Sequence, residues 1–274
     1  MVSASPSSRM PGFGAWTWVF YIFLYLPLVI LVVFSFNAGR SATVWSGFSL
    51  DWYARAFGNE SIQRATVNSL IVAFSAMTAA TVLALLAALA LMRGRRFRGG
   101  TVFRVTLLAP LMIPEIVTAV ATLTFFSALG MQLGLFNVFI AHTVFCIPFA
   151  YLPIAARLSN LDESLECAAR DLYAGAWRAF RRVTLPLAMP GIAAGAMLAF
   201  IISLDDFVIT LMVADAGSTT LPVYIFGMVR MGTSPEINAV STALLAVTTV
   251  IIVAHHGLTR AGKKPGLDKR DKRA

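Results

Sequence analysis

Six apolar runs, at about residues 16–36, 66–92, 105–129, 136–156, 188–213 and 237–258, constrain this 274-residue chain more than any other feature. Each is close to the roughly 20 residues that carry an α-helix across the hydrocarbon layer of a bilayer. Composition agrees. With 58% hydrophobic residues against 13% charged and a mean hydropathy of +0.77, the chain is too apolar for a water-soluble domain of this length. The expected fold class is all-α integral membrane, with six transmembrane helices over residues 15–258. A Ser-, Pro- and Gly-rich leader precedes them over 1–14 and a basic tail follows over 259–274. No small-residue cleavage site follows the first run, so it reads as a retained span and not a signal peptide.

Arginine and lysine placement orients the spans. Of the 22 basic residues, Arg40, Arg55, Arg64 and Arg230 fall on one side. The others fall on the alternate segments: Arg9; Arg93, Arg95, Arg96, Arg98 and Arg104; Arg157, Arg170, Arg178, Arg181 and Arg182; and the tail Arg260, Lys263, Lys264, Lys269, Arg270, Lys272 and Arg273. The positive-inside rule puts these segments, and with them both termini, in the cytoplasm. The net charge of +9 is therefore a membrane-flanking charge and not a nucleic-acid footprint. Near the surface the tail gains about 1 kcal/mol per residue against anionic lipid headgroups.

Other chemistries find no foothold. Cys146 lies within a span and Cys167 in a cytoplasmic loop, which does not suggest a disulfide. There is no metal-ligand spacing, no phosphate-binding Gly loop, and no nucleophile with a His and an acid to serve it. The chain is expected to bind no metal or cofactor of its own. His255 and His256 read as interfacial, and His142, in the fourth run, as a helix-packing hydrogen-bonder.

The cytoplasmic loop over 157–187 departs from the apolar background. It sets its five arginines against Asp162, Glu163, Glu166 and Asp171, while Leu165, Ala168, Ala169, Leu172 and Ala176 recur at spacings of three and four. That is an amphipathic helix facing water. The segment resembles the loop by which permeases of binding-protein-dependent ABC importers dock on their ATPase: Glu-Ala-Ala, three residues, Gly, nine residues, Ile, one residue, Leu-Pro. Ala168, Ala169, Leu185 and Pro186 match; Cys167 stands for the Glu, Tyr173 for the Gly and Val183 for the Ile. Glu166 is the expected substitute for the missing carboxylate and Gly175 for the missing flexible break. Small alanines suit a helix pressed against another protein, and Pro186 and Pro190 are expected to end the amphipathic pattern. An interfacial amphipathic helix is the plainer reading of the same loop.

The resemblance extends beyond the loop. Trp52-Tyr53, Asn68-Ser69-Leu70, Ala109-Pro110-Leu111-Met112-Ile113-Pro114-Glu115, Ser203-Leu204-Asp205-Asp206-Phe207-Val208-Ile209, Thr219-Thr220-Leu221-Pro222, Val229-Arg230-Met231-Gly232 and Ser234-Pro235-Glu236-Ile237-Asn238-Ala239 are similar to the second permease subunit of spermidine/putrescine importers. This implies a type I ABC importer permease fold in a bacterial inner membrane. It also implies a second homologous permease, an ATPase dimer that holds ATP and Mg, and an extracytoplasmic solute-binding protein. The missing ATP-binding motif agrees, because such a chain borrows its energy through the 165–190 loop.

Asp205, Asp206 and Glu115 fall within spans, roughly 21 Å past Gly191 for the aspartates and roughly 15 Å into the third span for Glu115. A charge facing lipid at mid-bilayer costs about 2.5 to 3.5 kcal/mol, so these acids must face protein or water. On a continuous helix Asp205 and Asp206 diverge by about 100°, while Asp206 shares a face with Ser203 and Thr210. Asp206 is thus the chosen pathway residue. Glu115 follows Pro110 and Pro114, which loosen the helix and free carbonyls. Pairing with a partner permease or capping of broken helices would explain the same acids. Within the same family an importer permease for another small solute stays open, and so do two other functions. An ion-coupled secondary carrier would use the acids without an ATPase, though no internal repeat is found. A purely structural membrane subunit would tolerate neutral residues at Asp206 and Glu115.

Overall fold

The computed structural model describes residues 13–41, 44–93, 99–232 and 235–261. The helices are α1 (Phe13–Phe34), α2 (Asp51–Gly58), α3 (Glu60–Arg93), α4 (Gly100–Met112), α5 (Glu115–Ala128), α6 (Leu135–Ser159), α7 (Ser164–Asp171), α8 (Ala176–Ala179), α9 (Leu185–Asp205), α10 (Val208–Val213), α11 (Leu221–Met231) and α12 (Pro235–Ala261). A π-helical turn, Phe180–Thr184, joins α8 to α9. Among the described residues five helices are long and apolar enough to cross a membrane, the α8–α9 stretch counting as one, and the bent pair α4 and α5, counted as one broken span, makes a sixth. Residues 1–12 of the leader, the tail from 262, and Arg95, Arg96 and Arg98 lie outside the described residues.

Two of the expected spans are interrupted. The third, expected as one helix over 105–129, is two helices meeting at 110°. Pro114 causes this. It has no N–H for the α4 ladder, and its ring drives the preceding Ile113 into extended geometry, φ −87° and ψ 131°. The fifth, expected over 188–213, leaves helical geometry at Asp206, φ −61° and ψ 128°, and resumes as α10. No proline stands at that break. Pro186 and Pro190, expected to end the amphipathic pattern, lie in the first turns of the apolar α9. The π turn lets Leu185 N–H reach the Phe180 carbonyl, so the helix passes through.

The chain divides into two units, Met1–Asn59 with Gly227–Ala246, and Glu60–Phe226 with Val247–Ala274. In the first, the α1–α2 connection is pinned by Asn37, whose side-chain amide donates to the Ser41 and Val44 carbonyls and accepts from the Ser46 N–H. The second unit holds both candidate sites. Its centre is α3 against α6 and α9. Ala76, Ala80, Ala84 and Ala88 recur every four residues along one face of α3 and are fully buried. Lipid tails are as apolar as any side chain, so helices in a bilayer associate through close packing of small residues and not through hydrophobic exclusion. Gly191 and Gly195 do the same for α9. A Cβ on Gly195 would sit 2.5 Å from the Ala150 carbonyl oxygen, and one on Gly191 would collide with Arg157 Cβ. A second cluster, of Val72, Ala119, Phe126, Val138, Ala141, Ile209 and Val213, packs α10 against α3, α5 and α6.

Candidate functional site

The first site is the charged loop over 157–187. Ahead of α7, the Ser164 N–H donates to Asp162 Oδ1 at 2.8 Å, and the bonds from Ser164 hold the Asp162 carboxyl below the usual carboxylate range. At the far end of α7 the Ala174 N–H reaches the Ala169 carbonyl and the Tyr173 N–H reaches the Arg170 carbonyl. These paired bonds form a Schellman motif whose left-handed position is Tyr173, at φ +60°. The related motif has Gly there for a physical reason, since a Cβ is penalised in that conformation. Here the turn is kept on a tyrosine. Gly175, expected to supply the break, has φ −62° and caps α8.

Side chains divide the loop into an inner and an outer face. Cys167, Ala168, Asp171, Leu172, Tyr173 and Trp177 are exposed, with Tyr173 the most open at 95%. Ala169 and Leu185 are half-buried, and Pro186 is exposed. Glu166 turns inward: its Oε1 accepts from the buried Thr184 hydroxyl at 2.9 Å and pairs with Arg93 Nε at 3.3 Å. Arg93 also pairs with Glu163.

The second site lies where the two broken spans meet, for α10 packs on α5. Asp206 follows the last turn of α9 and its Oδ1 accepts from the Thr210 N–H at 3.0 Å and hydroxyl at 3.1 Å, capping α10. His142, 1% exposed on α6, spans the break. Its Nδ1 is 2.8 Å from Ser203 Oγ on α9, and its Nε2 is 2.9 Å from Thr210 Oγ1 and 3.2 Å from Asp206 Oδ1. The Thr210 hydroxyl donates to Asp206 Oδ1, and His142 Nε2 lies within hydrogen-bond reach of both oxygens. Ser203, Asp206 and Thr210 are expected to share one helical face; the helix breaks at Asp206, and the three are linked instead through the break and His142.

The buried Asp206 Oδ2 lacks a donor, and Glu115 interacts with this carboxyl from the first turn of α5. Glu115 and Asp205 are exposed on the chain, whereas Asp206 is buried. Both Glu115 and Asp206 stand at helix starts, where the partial positive charge of the N-terminus favours an anion. The arrangement concentrates carboxylate at two helix breaks inside the membrane, which suits a cation. On sequence alone His142 reads as a packing residue and Arg93 as a membrane-flanking charge. The available signal is a histidine in an otherwise mostly apolar run for His142, and for Arg93 a cation ending a long span.

Comparison with known proteins gives consistent likenesses. Residues 80–261 match the family described as binding-protein-dependent transport system inner membrane component. The putrescine transport system permease protein PotI of Escherichia coli (strain K12) is 41% identical over 243 residues, 86% of each chain. The spermidine/putrescine transport system permease protein PotC of Haemophilus influenzae is 39% identical over 232 residues, 85% of this chain and 90% of the relative. Among solved structures, a bacterial ABC transporter that imports the acidic polysaccharide alginate aligns with a TM-score of 0.68 at 17% identity, over 96% of this chain and 100% of that one. The MetNI methionine ABC transporter aligns at 0.62 and 21%, over 73% and 95%. These place the fold among type I ABC importer permeases.

Proposed function

Because the chain belongs to the family of binding-protein-dependent transport system inner membrane components, we propose that it is the permease subunit that carries a polyamine, putrescine or spermidine, through an ATP-driven importer. It is a multi-pass inner-membrane permease and not an enzyme; ATP hydrolysis belongs to a separate chain. It works beside a second homologous permease, over an ATPase dimer that holds ATP and Mg, and receives solute from an extracytoplasmic binding protein. Both termini lie in the cytoplasm, on the side of the basic segments.

The meeting of Glu115 and Asp206 at two helix breaks carries the reading. A unit charge pair at 4 Å gains about 1 kcal/mol in bulk water and about 4 kcal/mol at the effective dielectric near a protein surface, so carboxylates shielded from water select for a cation. Glu115 and Asp205 are open to a solute, while Thr210 holds Asp206 directly and Ser203 does so through His142. On the cytoplasmic side the outer face of α7 and α8, with Cys167, Ala168, Ala169, Asp171, Tyr173 and Gly175, docks the ATPase, and Glu166, Leu185 and Pro186 join that face to α9.

The test is uptake of labelled putrescine into proteoliposomes holding the co-purified complex, with ATP inside. Uptake that needs both ATP and the ATPase supports the proposal. Uptake that persists without the ATPase, driven by an ion gradient, would replace it with a secondary carrier. A crosslinkable residue at Ala168 or Ala169 should attach to an ATPase chain, and labelling confined to lipid would overturn the docking assignment.

A further inference from the structure

We propose that Arg93 is the strut through which movement of the docking loop reaches the membrane helices. This rests on the reading that α7 and α8 dock the ATPase, and adds the route by which their displacement is passed on.

Three parts of the chain meet at one carboxylate. Arg93 is the last residue of α3, a helix about 51 Å long at 1.5 Å per residue that packs along both α6 and α9. Its Nε faces Glu166 Oε1, the same oxygen that accepts from Thr184. Thr184 is buried in the π turn that enters α9. Glu163, just before α7, holds a second nitrogen of the same guanidinium. The ends of α3, α7 and the α9 lead-in are thus tied at a single point, and a shift of α7 loads α3 and α9 together.

A cytoplasmic arginine ending a span ordinarily flanks the membrane and points to headgroups or water. Arg93 does not: its side chain is 15% exposed and that of Glu166 20%. An ion pair at an open surface contributes little, but the Arg93–Glu166 pair is largely withdrawn from water and its carboxylate is backed by the buried Thr184 hydroxyl, although at 3.3 Å Arg93 Nε makes an ion pair and not a hydrogen bond. The planar fork of arginine can engage both carboxylates at once, which the single ammonium of lysine cannot do with the same direction. Among the strongest helix contacts of the described residues, α7 packs on α8 and the π turn, and Arg93 adds a direct tie from α7 to α3.

The test is a charge exchange in the reconstituted complex: Arg93→Glu, Glu166→Arg, and both together. Three quantities are read: ATPase co-purification, ATP hydrolysis, and uptake of labelled putrescine per ATP. Arg93→Glu gathers three carboxylates and should lower uptake per ATP about tenfold while the ATPase still co-purifies and hydrolyses. In the double variant the new arginine faces Glu163, the new glutamate at 93 and the Thr184 oxygen, so uptake should return to within about threefold of the native protein. Glu166→Gln, which keeps the Thr184 bond without the charge, gives a milder loss and serves if Arg93→Glu fails to insert. Native uptake by Arg93→Glu and Glu166→Gln, or a double variant that binds ATPase but does not recover, overturns the strut. Failure of the native chain to co-purify any ATPase overturns the docking reading itself and is seen separately.

Discussion

Replacing Tyr173 by Gly should tighten the docking loop, although it removes a large side chain. Tyr173 occupies φ +60° at the end of α7, where an L-residue is strained by about 1–2 kcal/mol. Glycine has no Cβ to clash but returns about 0.5–1 kcal/mol of backbone entropy to the unfolded loop. The ring is 95% exposed, so its removal forfeits little packing within the chain. Tyr173→Ala loses the same ring and keeps the strain, which makes it the proper reference. The difference between the two variants is then about 1 kcal/mol, or roughly fivefold in the local opening equilibrium. Hydrogen exchange reads this directly at the Ala174 amide, whose bond to the Ala169 carbonyl closes the motif at 3.1 Å. In lipid nanodiscs without the ATPase, protection should rank Gly above Asn, and Asn above Ala, since Asn tolerates the left-handed region better than most residues. Equal protection in Gly and Ala would refute the assignment of strain to this turn.

Two further substitutions probe the framework around the sites. Gly195→Ala places a Cβ 2.5 Å from the Ala150 carbonyl oxygen and should destabilise the chain by about 1–3 kcal/mol, seen as a lower unfolding temperature in detergent. Gly227→Ala, with nothing within 4 Å of the new Cβ, is the control, and equal behaviour of the two would show that α6 and α9 do not approach closely. His142→Leu strips partners from Ser203, Thr210 and Asp206, at about 1–3 kcal/mol for each group left unsatisfied, whereas His142→Gln preserves some bonding and should lose less. Identical stability in both would mean that His142 does not close the break.

The spans were readable because length and apolarity alone set them, and the charged loop over 157–187 because its charges stand out from that background. The breaks were less readable for different reasons. Pro110 and Pro114 signalled a loosened third span, yet a loosened helix and a 110° bend leave the same trace in sequence. The interruption at Asp206–Phe207 has no glycine or proline to announce it; it is held by Thr210 and by His142, which is 64 residues away in the chain, and apolar runs on both sides conceal it. Aligning the loop motif located Tyr173 but not its conformation. It was natural to move the turn to Gly175, whereas the backbone bonds of the Schellman motif keep it in place. Arg93 and Glu166 lie on separate segments, and periodicity within a segment carries no information about which distant charges meet. Asp206 was singled out from helical spacing, and the same residue proves to be the buried member of a cluster whose exposed carboxylates are Glu115 and Asp205.

The central claim, that carboxylate at the two helix breaks recognises a cationic solute, is tested most directly by putrescine uptake in Asp206→Asn at matched membrane levels. Asparagine keeps the side-chain oxygen that accepts from the Thr210 N–H and hydroxyl and removes only the charge. Uptake should fall by at least about tenfold, more than in Asp205→Asn, with ATPase association unchanged. Uptake equal to that of the native chain, or a loss accounted for wholly by failed assembly, would contradict the claim and leave Asp206 as the residue that caps α10.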